Sequence, residues 1–158
     1  MSRLESFRRR LTAQIDGINW AIEQIKDTPG DILEMGLGNG RTYDHLRENA
    51  SQRIWVIDRV LQCHPSCVPP EDDFLKGEAE DMIARLAAQG TQIAFAHYDF
   101  GHGVKELDVA EGIALSPHIA SVMVPGGLVV SQQPLVGFTQ ISGPDTIDPE
   151  RYLFYRVG

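Results

Sequence analysis

Between residues 3 and 27 the apolar positions fall three and four apart, at Leu4, Phe7, Leu11, Ile15, Ile18, Ile22 and Ile25. That spacing predicts an amphipathic helix with one apolar stripe. Ser2 followed by Glu5 three positions later predicts a capping box at its start, and Thr28-Pro29-Gly30 predicts its stop. Gly17 lies inside this helix, where glycine costs about 1 kcal/mol relative to alanine.

Beyond it the pattern changes to short, continuous apolar runs: Ile32–Met35, Ile54–Ile57, Phe74–Leu75, Ile93–Ala96 and Leu128–Val130. Helical patterns at 40–49, 78–89 and 104–124 separate them. The last is predicted to break near Ser116-Pro117 and to end at Gly126-Gly127. Strands alternating with helices form a parallel sheet with right-handed crossovers. Runs that are apolar throughout, instead of alternating, fit a sheet covered on both faces. Phe138–Ile141 and Tyr152–Val157 follow without an intervening helix, across a turn rich in Gly, Pro and Asp, so they predict an antiparallel C-terminal edge. The expected fold class is α/β: one three-layer domain over 1–158, with residues 1–28 as an N-terminal amphipathic helix.

Composition changes this picture little. A chain of 158 residues with 42% hydrophobic and 23% charged side chains is ordinary for a globular domain. Charge says more. Fourteen basic against 22 acidic residues leave a formal charge of -8, which argues against a nucleic-acid partner, since phosphate binding relies on clustered Lys and Arg. Arg8, Arg9 and Arg10 form the one basic run and read as a solvated helix face. No apolar stretch reaches the length of a membrane span, and the N-terminus shows no hydrophobic signal region. Cys63-His64-Pro65-Ser66-Cys67 lacks the second ligand pair of a structural zinc site. We expect reduced thiols, no bound metal and a cytoplasmic location.

The chemistry concentrates in Glu34-Met35-Gly36-Leu37-Gly38-Asn39-Gly40-Arg41-Thr42, where a buried strand ends in glycines and opens a helix. Glycines there let a ligand approach the backbone, and the helix start presents unpaired N–H groups. A dinucleotide fingerprint, G-x-G-x-x-G, would need glycine at the position of Arg41. The glycines instead run at 36, 38 and 40, preceded by an acid in the strand. Asp58 ends the second strand run, where a carboxylate can accept both hydroxyls of a ribose. Lys76-Gly77-Glu78-Ala79 follows the third strand, where an acceptor can meet an exocyclic amine.

With these residues the sequence resembles the class I S-adenosylmethionine-dependent methyltransferases over about 31–131, the E-x-G-x-G-x-G string being the most specific part. The resemblance implies a Rossmann-like domain that binds S-adenosylmethionine and releases S-adenosylhomocysteine. It implies a methionine-binding loop at Glu34, Gly36, Gly38, Asn39 and Gly40, ribose binding at Asp58 beside Arg59, and adenine binding at Gly77, Glu78 and Ala79. Pro125-Gly126-Gly127-Leu128 also looks like the family's approach to its fifth strand. A site rich in carboxylates suits the cofactor's cationic sulfur.

The fourth strand delivers His97-Tyr98-Asp99-Phe100-Gly101-His102 at its carboxyl end, the edge at which open α/β sheets bind ligands. In the family this segment supplies acceptor-positioning or proton-accepting groups. Asp99 is the first candidate, with His97, Tyr98 and then His102 behind it. Strand alternation sends Tyr98 to the face opposite His97 and Asp99. The expected function is methyl transfer to a small-molecule acceptor, and the alternative is a cofactor-binding protein or subunit without turnover.

Two departures from the family stand out. Prolines 65, 69 and 70 shorten or remove the helix between the second and third strands, and no helix fits between the fifth strand and Phe138. One sheet face then needs cover from the N-terminal helix or from a second subunit, so a homodimer is expected.

Overall fold

The computed structural model describes all residues, 1–158. Four helices and seven strands follow one another as α1 (Arg3–Gln24), β1 (Asp31–Met35), α2 (Arg41–Asn49), β2 (Ile54–Asp58), β3 (Phe74–Lys76), α3 (Ala79–Ala88), β4 (Ile93–Tyr98), α4 (Lys105–Val122), β5 (Met123–Ser131), β6 (Thr139–Ile141) and β7 (Leu153–Arg156). The strands make one sheet in the order β3-β2-β1-β4-β5-β7-β6. Every pairing from β3 to β5 is parallel, whereas β7 runs antiparallel between β5 and β6, so the antiparallel edge stands as expected. No helix is long and apolar enough to cross a membrane.

Strand register sorts the side chains into two layers. Ile32, Val56, Phe95, Leu128, Val130 and Phe154 face α1 and α2, and Leu33, Ile57, Ala96, Tyr98, Val129 and Tyr155 face α3 and α4. Because successive strand residues point to opposite faces, Glu34 and His97 share the first layer, and they are direct cross-strand partners.

The capping box at α1 forms as read: Ser2 Oγ accepts from the Glu5 amide at 3.0 Å, and Glu5 Oε2 accepts from the Ser2 amide at 2.7 Å. The apolar stripe needs correction. Ile18 and Ile25 are buried, but Leu4, Phe7 and Ile15 are exposed. The helix buries Ala13, Gly17, Ile18 and Ala21 against the sheet, and the small residues at 13, 17 and 21 let it lie close. A Cβ on Gly17 would stand 3.4 Å from Ile147 and 3.6 Å from Tyr152 and Phe154, ordinary contact distances. The first turns of α1 therefore overhang the sheet edge with their apolar residues uncovered.

Two further expectations are overturned. Helix α4 does not break at Ser116-Pro117; it runs through Pro117, and Ser116 Oγ donates back to the Gly112 carbonyl at 2.8 Å inside the same turn. Gly126-Gly127 does not end that helix but lies within β5, where the strand bulges: Met123 pairs with Ile93, while Leu128 already pairs with Phe95. Gly126 carries the positive φ of 79° that the bulge needs.

The helix missing between β2 and β3 is replaced by two single 3-10 turns, Pro65–Cys67 and Glu71–Asp73. The sheet end near β7 is covered from within the chain. Trp20 of α1 meets Phe154 edge-on at 5.1 Å between centroids, and on the other face Phe138 lies 6.1 Å from Tyr155, whose hydroxyl accepts from the Leu135 amide at 3.0 Å. These contacts cover that end of the sheet on both faces within one chain.

Candidate functional site

The carboxyl ends of β1, β2 and β4 open onto one cleft. Its floor is the glycine loop, whose glycines at 36, 38 and 40 have φ of 95°, 52° and 91°. Their surroundings separate their roles. A Cβ on Gly40 would stand 2.5 Å from Cys67 Cβ, and one on Gly36 3.0 Å from Phe100 Cβ, so these two are held by protein neighbours. At Gly38 nothing lies within 4 Å. The loop thus presents bare backbone to open space at its middle glycine, which is the cradle a ligand would fill.

Asp58 reaches across from the end of β2. Its Oδ2 accepts from the amides of Leu37 at 2.8 Å and Gly38 at 3.2 Å, so it holds the loop in shape. Its Oδ1 accepts a long bond of 3.3 Å from the Val60 amide and keeps acceptor capacity toward the cleft. Beyond it lies a hollow of about 310 Å³ bordered by Asp58, Arg59, Gly77, Glu78, Ala79 and Phe100. Glu78 is the N-cap of α3 and forms an exposed ion pair with Arg59 at 3.0 Å. The structure therefore brings Gly36, Gly38, Asp58, Arg59, Gly77, Glu78 and Ala79 around one cleft, with Asn39 and Gly40 beside it where the loop enters α2.

Glu34 stands apart from this group. It is fully buried beneath the loop, its Oε1 2.7 Å from His97 Nδ1, and its Oε2 has no hydrogen-bond partner. Burial pushes the Glu34 carboxyl up, with the charge on His97 pulling against it. Burial alone would strip the proton from His97, but the Glu34 charge and hydrogen bond outweigh it and hold His97 above the usual imidazole range.

The chain of contacts continues. His97 Nε2 lies 3.3 Å from the Tyr152 hydroxyl, which donates to Asp99 Oδ2 at 3.1 Å. Burial first, then the Asp99 charge, push the Tyr152 hydroxyl far above its ordinary value, so it stays protonated and keeps its donor role. Since that proton faces Asp99, His97 Nε2 must carry the hydrogen between His97 and Tyr152. Gln14 Nε2 of α1 donates to the same Asp99 oxygen at 2.8 Å. Asp99 is half-buried, with Oδ2 held by two donors and Oδ1 without a protein partner.

Tyr98 lies on the other face, as strand alternation requires. Its ring stacks on Phe100 with centroids 4.7 Å apart, and its hydroxyl donates to Glu111 at 3.4 Å. Burial, then the Glu111 charge, push that hydroxyl up as well. His102 also meets Glu111, at 3.2 Å. Tyr98 and His97 thus do not converge on one point. Sequence reasoning missed Gln14, Tyr152, Phe100 and Glu111. Gln14 sat among helix residues and Tyr152 in a strand candidate, and no local pattern marks either.

A family model described as S-adenosyl-L-methionine methyltransferase matches residues 1–157. No curated protein matches the chain. Among solved structures, an S-adenosyl-L-methionine methyl transferase from Silicibacter pomeroyi DSS-3 is 31% identical, with a TM-score of 0.93 over 100% of this chain and 99% of that one. Human methyltransferase-like protein 13, solved in complex with SAH, is 13% identical with a TM-score of 0.54, over 95% of this chain and 81% of that one; it shows the shared fold. Matched along 157 of its residues by one family model, and built around a glycine cradle facing an acid-lined cleft, this chain belongs to the S-adenosyl-L-methionine methyltransferase family.

Proposed function

We propose that the chain transfers a methyl group from S-adenosylmethionine to a small-molecule acceptor, releasing S-adenosylhomocysteine, and that Asp99 receives the acceptor's proton. When bound, the cofactor supplies a methyl group already activated by a positively charged sulfur. The residues present fit it. The backbone of Gly36, Gly38 and Asn39 would hold the methionine portion, Asp58 the ribose, and Gly77 through Ala79 the adenine. Arg59 would border the ribose and hold Glu78 in place.

What remains for the protein is to orient the acceptor and to take its proton when the nucleophile carries one. Orientation alone contributes roughly 7–11 kcal/mol to such reactions. Asp99 is the group for the proton. The observation that carries this reading is its divided carboxylate: Oδ2 is fixed by Gln14 at 2.8 Å and Tyr152 at 3.1 Å, and Oδ1 is left over beside the glycine loop. Two donors on one oxygen leave the other free to accept. His97 and Glu34 act at one remove, since His97 fixes the direction of the Tyr152 proton and Glu34 fixes His97. Tyr98 lies on the other face, so in this reading its part is to shape the wall behind Phe100.

The test uses methyl-labelled S-adenosylmethionine and a mixture of small metabolites. We expect label in a small molecule with wild-type protein, and at least a hundredfold less with Asp99→Asn under conditions of equal cofactor occupancy. Label found only in hydrolysis products, from a protein that binds S-adenosylhomocysteine, would leave a binding protein and end the enzymatic reading.

A further inference from the structure

Cys63 and Cys67 stand four positions apart in the segment between β2 and β3, and the proposed reaction uses neither. The fold brings both against the glycine loop. The point where a Cβ on Gly40 would stand lies 2.5 Å from Cys67 Cβ and 3.2 Å from Cys63 Cβ, so the two side chains flank one glycine. Both are free thiols. Two Cβ atoms so close to one point are a short backbone movement from the separation of ~3.8 Å that a disulfide needs. They differ in access: Cys63 is half-buried and open to a small oxidant, whereas Cys67 is 7% exposed.

The turn that carries the pair is fastened to the loop and to α2. The His64 amide donates to the Asn39 carbonyl at 3.0 Å, the Cys67 amide donates to the His64 carbonyl at 2.8 Å, and Arg47 of α2 donates to the Ser66 carbonyl. A movement of this turn is therefore felt at Asn39 and Gly40. Gly40 has no room to yield toward the cysteines, while Gly38 has nothing within 4 Å. Drawing Cys63 and Cys67 together across Gly40 therefore shifts the loop in the direction left open, into the cleft.

We propose that Cys63 and Cys67 form a reversible dithiol–disulfide pair, closed by a peroxide, whose oxidised form binds the cofactor more weakly. The inference rests on the reading that this loop holds the cofactor. The Cys63 sulfur attacks the peroxide and breaks its O–O bond, becoming a sulfenic acid as one water leaves. The Cys67 sulfur then attacks the Cys63 sulfur and breaks the S–O bond, and the hydroxide leaves with the Cys67 thiol proton as a second water. Two thiols are oxidised and one peroxide is reduced; a dithiol reductant reopens the pair.

The test treats the full chain with hydrogen peroxide, maps the cysteines by mass spectrometry without reduction, and measures S-adenosylhomocysteine affinity by calorimetry. We expect the loss of two hydrogens, a Cys63–Cys67 cross-linked peptide, and binding about tenfold weaker that dithiothreitol restores. Reduced Cys63→Ser should bind as reduced wild-type protein does and keep its affinity after peroxide. Cysteines that oxidise without cross-linking would overturn the proposal. So would a cross-linked protein whose affinity stays within twofold of the reduced form, or a Cys63→Ser protein that peroxide weakens equally. Failure of the reduced wild-type protein to bind S-adenosylhomocysteine would strike the underlying cofactor reading instead.

Discussion

Glu34 and Asp58 are both acids at the carboxyl ends of neighbouring central strands, and the fold uses them in opposite ways. Glu34 is the last but one residue of β1, so it points into the layer under α1 and α2, where it is sealed from solvent against His97. Asp58 is the last residue of β2, so it passes the sheet edge and meets the glycine loop and the cleft. In register Glu34 pairs with Val56, so Asp58 stands two residues further along on the same face, and that advance decides the outcome. The interior acid holds an internal partner, His97, which in turn meets the Tyr152 hydroxyl. The edge acid shapes the loop, and its second oxygen accepts only a long bond from the Val60 amide.

The largest expected effect breaks the buried partner. Glu34→Ala leaves His97 in the core without its counter-charge, and removing one member of a buried pair costs about 3–5 kcal/mol. Urea unfolding of the variant should show that loss, with S-adenosylhomocysteine affinity of the remaining folded protein changed far less than in an Asp58 variant. The charge, as opposed to the shape, is isolated by pH. Folded His97 keeps its proton above the ordinary value of 6.5, so its contribution to stability is complete below pH 6.5 and is lost as pH rises through the higher folded value. Wild-type stability should fall over that window, and Glu34→Gln should flatten the curve.

Asp58→Ala should do the reverse. It removes the acceptor for the Leu37 and Gly38 amides and, in the proposed reading, a ribose partner together. We expect S-adenosylhomocysteine to bind tenfold or more weakly, about 1.4 kcal/mol, by calorimetry. The smallest change belongs to Glu78. Its pair with Arg59 is more than half exposed on both sides, so Glu78→Gln should alter stability by less than about 0.5 kcal/mol and affinity only a few-fold. An Asp58 variant that lost stability and kept its affinity would reverse the contrast between the two acids.

The parts of the fold visible in the sequence were those set by local pattern. The capping box at Ser2 and Glu5, the five parallel strands and the antiparallel edge all follow from spacing and turn residues, because neighbours in sequence determine them. The glycine loop, Asp58 and Glu78 were legible for the same reason: each stands at a strand end, and the edge of the sheet collects strand ends. Pro117 and Gly126 were misread because each has a partner that local pattern does not show. Ser116 stays within the helical turn by bonding to Gly112, and Gly126 donates its amide to the Val157 carbonyl at 2.9 Å across the sheet. The network around Asp99 was hidden for a related reason. Gln14 and Tyr152 lie 85 and 53 positions away from it, and only the docking of α1 and the return of β7 bring them to one oxygen.

The central claim is that the cofactor lies between the glycine loop and Asp58, above a sealed Glu34–His97 pair. Titration of isotope-labelled protein with S-adenosylhomocysteine, followed through backbone amide resonances, tests it most directly. The account predicts one site per chain, with the largest shifts at Gly36, Gly38, Arg59, Gly77 and Ala79 and smaller ones at Ile32 and Phe95 in the layer beneath. Saturable binding that left those five amides in place, or no binding at all, would contradict it.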